Sequence, residues 1–455
     1  MRIVVLNGSP KGELSGTLQT VRYIAKRVPG HEWQEFSVAQ KVAVLERDEA
    51  RWAEVVEAVA AADLVVWSAP VYYMLVCSQY KRFIELIAER GAQAAFAGKA
   101  AAVVTTSIHF YDHTAQAYLR GICEDLGMRY LGGLSADGDD LTRPAGQRTA
   151  ALFGADMLAA AAERRPVARL TAPLPAVSRV YQPGAAPEPV AVGGRRVLVV
   201  TDDQGPDTTL GAMVGRLAAA FGSAQVVNIN DLRIDAGCQG CCQCAFENQC
   251  VFEGKDDYIG FHRDTLQRAD IIVLAARIVD RNLSWQWRRF FDRSFFVNHA
   301  PCLMGRQFAV LLSGPASHLP GLRDQLDAWV QLQQANLVDI VSDECEELDA
   351  LLPSLASRLV SAAEQGIRQP QSFLGVAAHK LFRDEVYGRL RWIFQADHRA
   401  YRRLGYYDFP QRDWRTRAVN AVMMLLTRNR GIRQQIRERM RAEMIKAHQK
   451  VVEQA

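Results

Sequence analysis

No apolar run in this chain approaches the roughly 20 residues that a helix needs to cross a bilayer. The longest near the C-terminus, Ala421 to Leu426, falls well short of it. The opening stretch, Met1-Arg2-Ile3-Val4-Val5-Leu6, has no small-residue cleavage site behind it and leads into a glycine turn, so it reads as a first strand and not as a signal. Cysteine is sparse outside one segment. Of nine in all, five crowd between Cys238 and Cys250, a distribution that fits metal or redox use in a reducing compartment better than a disulfide framework. The expected location is therefore the cytoplasm. What the chain does have is apolar material: 49% hydrophobic and 23% charged residues over 455 positions, enough for two packed cores and an appendage.

Strand-like apolar runs alternate with helix-length amphipathic stretches from the start: Ile3 to Leu6, then 15–28, Ala62 to Trp67, 78–90, Ala101 to Thr105 and 113–126. This alternation predicts right-handed βαβ units around a parallel sheet. After a helix near 150–163 the Pro-, Ala- and Val-rich stretch from Pro166 to Gly194 reads as a linker. The pattern restarts at Arg196-Val197-Leu198-Val199-Val200 and continues to about residue 366, with strands near 224–230, 270–276 and 307–312. The expected domains are 1–165, a linker at 166–194, a second domain at 195–368 and an extension at 369–455.

The second half repeats the first. Ala62-Asp63-Leu64-Val65-Val66 matches Ala269-Asp270-Ile271-Ile272-Val273, and the same offset of 207 carries Gln79-Tyr80-Lys81-Arg82-Phe83 onto Gln286-Trp287-Arg288-Arg289-Phe290. Any two parallel-sheet domains share apolar strands; shared Gln, Arg and Phe at fixed spacing point to duplication. The repeat also shows losses, since Gly8-Ser9-Pro10-Lys11 becomes Asp202-Asp203-Gln204-Gly205, and Pro70-Val71-Tyr72-Tyr73 becomes Arg277-Ile278-Val279-Asp280. Two carboxylates in such a loop would repel a phosphate, so any anion site belongs to the first half.

There, strand one ends in Asn7-Gly8-Ser9-Pro10-Lys11-Gly12 and a helix begins near Ser15-Gly16-Thr17-Leu18. Unpaired N–H groups at a helix start, small hydroxyls, a lysine and glycines suit a monoester phosphate. The loop lacks the Gly-Lys-Ser/Thr ending of a P-loop and the spacing of a dinucleotide fingerprint, which points away from nucleoside triphosphates and from a Rossmann-type NAD site. Strand three ends in Ser68-Ala69-Pro70-Val71-Tyr72-Tyr73-Met74, at the carboxyl edge where doubly wound folds bind ligands. Read by themselves, the turn is an ordinary turn and the tyrosines ordinary core aromatics.

The combination resembles the flavodoxin-like NAD(P)H-dependent FMN reductases, with Lys11 where arginine is usual and Gly16-Thr17 in place of Asn-Thr. The resemblance implies two tandem flavodoxin-like doubly wound sheets of order 2-1-3-4-5 and an FMN site. Its contacts would be Ser9, Pro10 and Lys11 in the turn, Ser15, Gly16, Thr17 and Leu18 at the helix start, and Pro70, Val71, Tyr72, Tyr73 and Met74 against the ring and ribityl chain. Thr106, Ser107 and His109, in the loop after strand four, would complete the ring pocket. His109 and His113 flank Tyr111 and Asp112 at helical spacing; without a third ligand, a pocket-wall or helix-start role is expected rather than a metal pair. Flavins react through N5 without an obligatory protein base, so no catalytic acid is assigned from motifs.

Cys238, Cys241, Cys244 and Cys250 have gaps of two, two and five residues, and thiolates at this density select zinc or an iron-sulfur cluster. The spacing resembles that of the iron-sulfur flavoproteins, relatives of the same family, which implies a [4Fe-4S] cluster in the second domain, with Cys242 outside the pattern. A structural zinc and metal-free reactive thiols stay open. The expected protein is an FMN-dependent oxidoreductase that passes electrons between NAD(P)H or another donor and a quinone, a one-electron carrier or a small molecule. A non-catalytic electron carrier or assembly partner, with a structural zinc held by the same four cysteines, is the alternative.

From Gln371 to Ala455 there are 18 Lys plus Arg against 8 Asp plus Glu. This basic, helical extension reads as a solvated or oligomer-forming appendage, or as a surface for an acidic redox partner or the anionic inner face of a membrane. It has no recognisable nucleic-acid module.

Overall fold

The computed structural model describes residues 1–175, 180–297 and 299–454, the side chains of 441–444 and 447 excepted. The expected linker 166–194 therefore lies in part, at 176–179, outside the described residues, as does the last residue of the extension. The first sheet contains β1 (Arg2–Asn7), β2 (Glu32–Phe36), β3 (Leu64–Tyr72), β4 (Leu75–Val76), β5 (Ala100–Ser107) and β6 (Arg129–Asp137). Its order is β2-β1-β3-β5-β6, all parallel, with β4 folded back on β3 as a short antiparallel hairpin. Side chains alternate between the two faces of each strand. Val4, Leu6, Val65, Trp67, Ala101 and Val103 join one core, while Ile3, Val5, Leu64, Val66, Ala102 and Val104 join another. Helices cover both faces, as a doubly wound sheet requires.

The second sheet contains β7 (Val197–Thr201), β8 (Gln225–Asn228), β9 (Ile271–Val279), β10 (Asn282–Leu283), β11 (Gln307–Ser313) and β12 (Asn336–Ser342). Its order, β12-β11-β9-β7-β8 with β10 on β9, is that of the first sheet. With the hairpin strands set aside, both read 2-1-3-4-5, and the two domains are a tandem duplication. Among the described residues no helix is long and apolar enough to cross a membrane.

The two copies meet about a pseudo-two-fold relation that the offset of 207 describes residue by residue. Lys81, on the helix Ser78–Glu89, is fully buried and reaches Glu85 at 2.6 Å, Asp280 at 2.7 Å and the Val279 carbonyl at 3.1 Å. Its equivalent Arg288, on the helix Trp285–Arg293, pairs with Asp292 at 2.7 Å and donates to the Tyr72 and Tyr73 carbonyls at 2.7 and 2.9 Å. Each cation thus secures the hairpin turn of the other domain. The carboxylates are exchanged in the same way: the Ser78 N–H donates to Asp292 at 2.6 Å, and the Trp285 N–H to Glu85 at 2.7 Å. Burial pushes the Glu85, Asp280 and Asp292 carboxyls up, against the pull of Lys81 and Arg288. A self-complementary patch of this kind is what a two-fold dimer uses; here both halves lie in one chain.

Residues Met1–His398 form one compact unit and Arg399–Ala455 a second. The expected extension at 369–455 is thus divided, because the helix Phe373–Tyr387 packs on the helix Pro320–Leu332 of the first unit. The second unit carries the helices Trp414–Leu426 and Arg430–Val452, with Trp414, Val422, Met424 and Leu425 exposed. Lys81→Met strands two buried carboxylates and is expected to lower the unfolding free energy in urea titrations by about 3–5 kcal/mol. Arg51→Met, which removes an exposed pair with Glu54, should change it by less than about 1 kcal/mol.

Candidate functional site

The loop after β1 is shaped by its own polar groups. Asn7 Nδ2 donates to the Gly12 carbonyl at 3.1 Å and Asn7 Oδ1 accepts the Ser9 N–H at 3.1 Å, while Ser9 Oγ accepts the Lys11 N–H at 3.3 Å. A Cβ on Gly8 would lie 2.3 Å from the Tyr80 ring, so glycine is needed for this close passage. Ser15 caps the helix Gly16–Arg27 by accepting the Leu18 N–H, which leaves Gly16 and Thr17 as first-turn residues with no intrahelical acceptor for their N–H groups. At the next strand the hairpin turn places Tyr73 and Met74 at φ of 38° and 68°, a left-handed pair that Arg288 holds by its carbonyl contacts.

These segments converge on a cavity of about 450 Å³, within the range of roughly 300–1,000 Å³ common to small-molecule sites. Lys11, Ser15, Gly16, Thr17, Pro70, Val71, Tyr72, Tyr73, Thr106 and Ser107 line it. The remaining sequence-derived candidates do not. Ser9 and Pro10 are buried within the turn, Leu18 is in the core, and Met74 faces a separate small cavity beside Leu283 and Trp329. His109 is half exposed and pairs with Asp112 at 2.8 Å, beside the start of the helix Asp112–Asp125.

The rest of the wall comes from the second domain and from residues 373–398. Cys238, Gly240, Cys242, Cys244, Phe295 and His299 line the cavity, together with Phe382, Leu390 and Phe394. Phe295 packs on Tyr73 with ring centres 4.3 Å apart. Gly240 adopts φ of +64°, and a Cβ there would lie 2.2 Å from Tyr72 Oη. The cysteine loop is moored by Arg293, which binds Asp256 at 2.5 and 3.0 Å and the Ala236 carbonyl at 3.0 Å, and by Gln79 of the first domain, which donates to the Cys238 carbonyl. Sequence reasoning did not find Phe295, His299 or the 373–398 residues as site components. The available signal was the duplication itself, since two copies that pair as a dimer bring the second against the rim of the first.

All five loop cysteines border a smaller cavity of about 30 Å³, beside Phe252, Arg293 and Phe296. Cys238, Cys242, Cys244 and Phe295 border both cavities, forming a shared wall. Burial pushes the Cys244 thiol up to about 12 and raises those of Cys238 and Cys242, the last opposed by Lys11. The donor chemistry fits a soft metal centre, but among the described residues no three His, Cys, Asp or Glu side chains gather closely enough to hold a metal ion.

In the second domain the corresponding rim is filled from within. Asp202, equivalent to Gly8, is fully buried and accepts from Ser284 Oγ at 2.6 Å and from the Arg277 N–H at 2.9 Å. Arg277 stands where the first domain has Pro70, which has no N–H to give. Asp202 does not project into the loop as a repelling charge; it ties the strand ends together.

Residues 1–139 match the family model described as NADPH-dependent FMN reductase. Solved structures similar to part of the chain include the apo form of an NADH:FMN oxidoreductase, with 18% identity, 35% of this chain and 89% of that one covered, and a TM-score of 0.30. A WrbA-like flavodoxin from Agrobacterium tumefaciens shows 19% identity, 36% and 99% coverage and a TM-score of 0.27. The NAD(P)H:(acceptor) oxidoreductase FerB from Paracoccus denitrificans shows 17% identity, 35% and 95% coverage and a TM-score of 0.28. No curated protein matches the chain. With FMN offered as the ligand of this cavity, Gly240→Val should displace Tyr72 and weaken binding, read from quenching of flavin fluorescence, by about tenfold or more (~1.4 kcal/mol); Gly215→Ala, where a Cβ meets open space, should leave it unchanged.

Proposed function

We infer, from a chain whose residues 1–139 match the NADPH-dependent FMN reductase family model, that the protein is an NAD(P)H-dependent flavoprotein oxidoreductase with one FMN site per chain. The observation that carries this reading is the convergence of Lys11, Ser15, Gly16 and Thr17 with Pro70–Tyr73 and Thr106–Ser107 on one cavity. The helix start and Lys11 would bind the phosphate, through open N–H groups and a cation. The Pro70–Tyr73 edge and Ser107 would border the ring. When bound, FMN supplies hydride acceptance and single-electron release; the protein's part is to orient it, exclude water and choose the partner on each side.

Our reading of the cysteine loop is that Cys238, Cys241, Cys244 and Cys250 would ligate a [4Fe-4S] cluster, whose binding would have to draw the four side chains closer together than they stand. Five thiols on one cavity, and a wall shared with the proposed flavin cavity, support that assignment. The first domain would then exchange electron pairs with NAD(P)H, and the second single electrons with a redox partner protein or small-molecule acceptor. The basic second unit, with its exposed Trp414 and Met424, is suited to an acidic partner or an anionic membrane surface. Protein reconstituted anaerobically with FMN is expected to bind one equivalent and to oxidise NAD(P)H with an added acceptor. A sample that stays colourless overturns the flavin reading, and zinc in place of iron and sulfide overturns the cluster.

A further inference from the structure

The part of the cavity walled by Phe110, Phe295, Phe382, Leu390 and Phe394 is apolar and aromatic, and one imidazole interrupts it. His299 is 7% exposed, and its ring stacks on Phe382 with centres 3.9 Å apart. Asp397, with no exposed surface, accepts the His299 N–H at 3.1 Å and lies 2.7 Å from His299 Nδ1. A carboxylate that grips both the backbone and one ring nitrogen fixes the ring's orientation, with Nδ1 turned to Asp397. The segment that delivers Asp397 is itself pinned to the rim of the first domain. Arg389 makes two bonds of 2.7 Å to Asp137, at the end of β6, and reaches Asp139 and Glu385 at 2.5 Å. This holds Asp137 down at about 2. Burying an imidazole and a carboxylate in an aromatic wall is offset by the bonds they make to each other, and these hold the ring in place at the cavity.

We propose that this part of the cavity binds a flat, largely apolar acceptor bearing a carbonyl oxygen, and that His299, positioned by Asp397, hydrogen-bonds that oxygen and protonates it as the acceptor is reduced. The proposal rests on the flavin reading above. Reduction of an aromatic dicarbonyl to its dihydroxy form takes two electrons and two protons. The electron pair and one proton arrive as hydride equivalents that NAD(P)H supplies through the flavin. The other proton, taken up from water at the ring nitrogen that does not face Asp397, passes to the carbonyl oxygen as the C=O double bond becomes C–OH. Positioned general acids contribute about 10²–10⁴-fold to such steps.

The test compares 1,4-naphthoquinone, which must be protonated, with ferricyanide, which takes single electrons and no proton. In FMN-loaded His299→Gln the ratio of naphthoquinone to ferricyanide turnover should fall about a hundredfold. Naphthoquinone binding to the oxidised protein, followed by tryptophan fluorescence, should weaken about tenfold. Asp397→Asn should shift both in the same direction by less. A ratio within twofold of the original in either variant, or an equal loss of both rates, overturns the role of His299. If the unaltered chain takes up no FMN, the flavin reading fails first and the proposal falls with it; a flavin-loaded wild type with an unmoved ratio in His299→Gln sinks the proposal alone.

Discussion

Lys81 and Arg288 sit at equivalent places in two copies of one fold, and each reaches across to hold the other copy's hairpin turn. Four buried charged groups, Lys81 with Glu85 and Arg288 with Asp292, would be expensive apart, because a carboxylate or ammonium removed from water needs a partner and further hydrogen bonds. The backbone N–H groups of Ser78 and Trp285 and the carbonyls of the opposing turns supply those bonds. The arrangement therefore pairs the domains in one register only. From that register follow the position of Phe295 against Tyr73, of Gly240 against Tyr72, and of the whole cysteine loop against the cavity of the first domain.

The asymmetry between the copies has an equally local origin. In the first, Gly8 lets the chain pass over the Tyr80 ring and Pro70 leaves the strand end without a donor. In the second, Asp202 and Arg277 stand at those places and bond to one another and to Ser284. The rim that is open in the first copy is internal structure in the second. The second copy carries the cysteine segment between β8 and the helix Tyr258–Asp264, and its contribution to the cavity is a wall. The cavity on the rim of the first copy and the smaller cavity of the cysteine loop then lie on two sides of one partition made by Cys238, Cys242, Cys244 and Phe295.

Where sequence reasoning reached and where it stopped follows the range of the interactions. The helix expected at 113–126 is found at Asp112–Asp125 and the strand expected at 307–312 at Gln307–Ser313, because apolar periodicity is a local property. The basic tail holds two helices, Trp414–Leu426 and Arg430–Val452, separated where Asn429 caps the second by accepting the Gly431 and Ile432 N–H groups; a single capping residue in a helical composition is a weak signal for that boundary. Ser9 and Leu18 lie in the correct loop and helix yet are turned into the turn and the core, a distinction that residue type cannot make. His299 and Asp397, 98 residues apart, had no motif to join them.

The alternation of strands and helices, the glycine-serine turn, the proline-tyrosine segment and the cysteine spacing were each carried by residues near one another in the chain, where period and spacing act directly; the doubling showed as a fixed offset, and the strand order came with the resemblance. The roof of the cavity, the sealed rim of the second copy, the partition of cysteines and the His299–Asp397 pair arose only once the copies and the segment 373–398 had docked. Those features depend on which surfaces meet, and that is decided by buried charge pairing and shape across separations that no local pattern encodes.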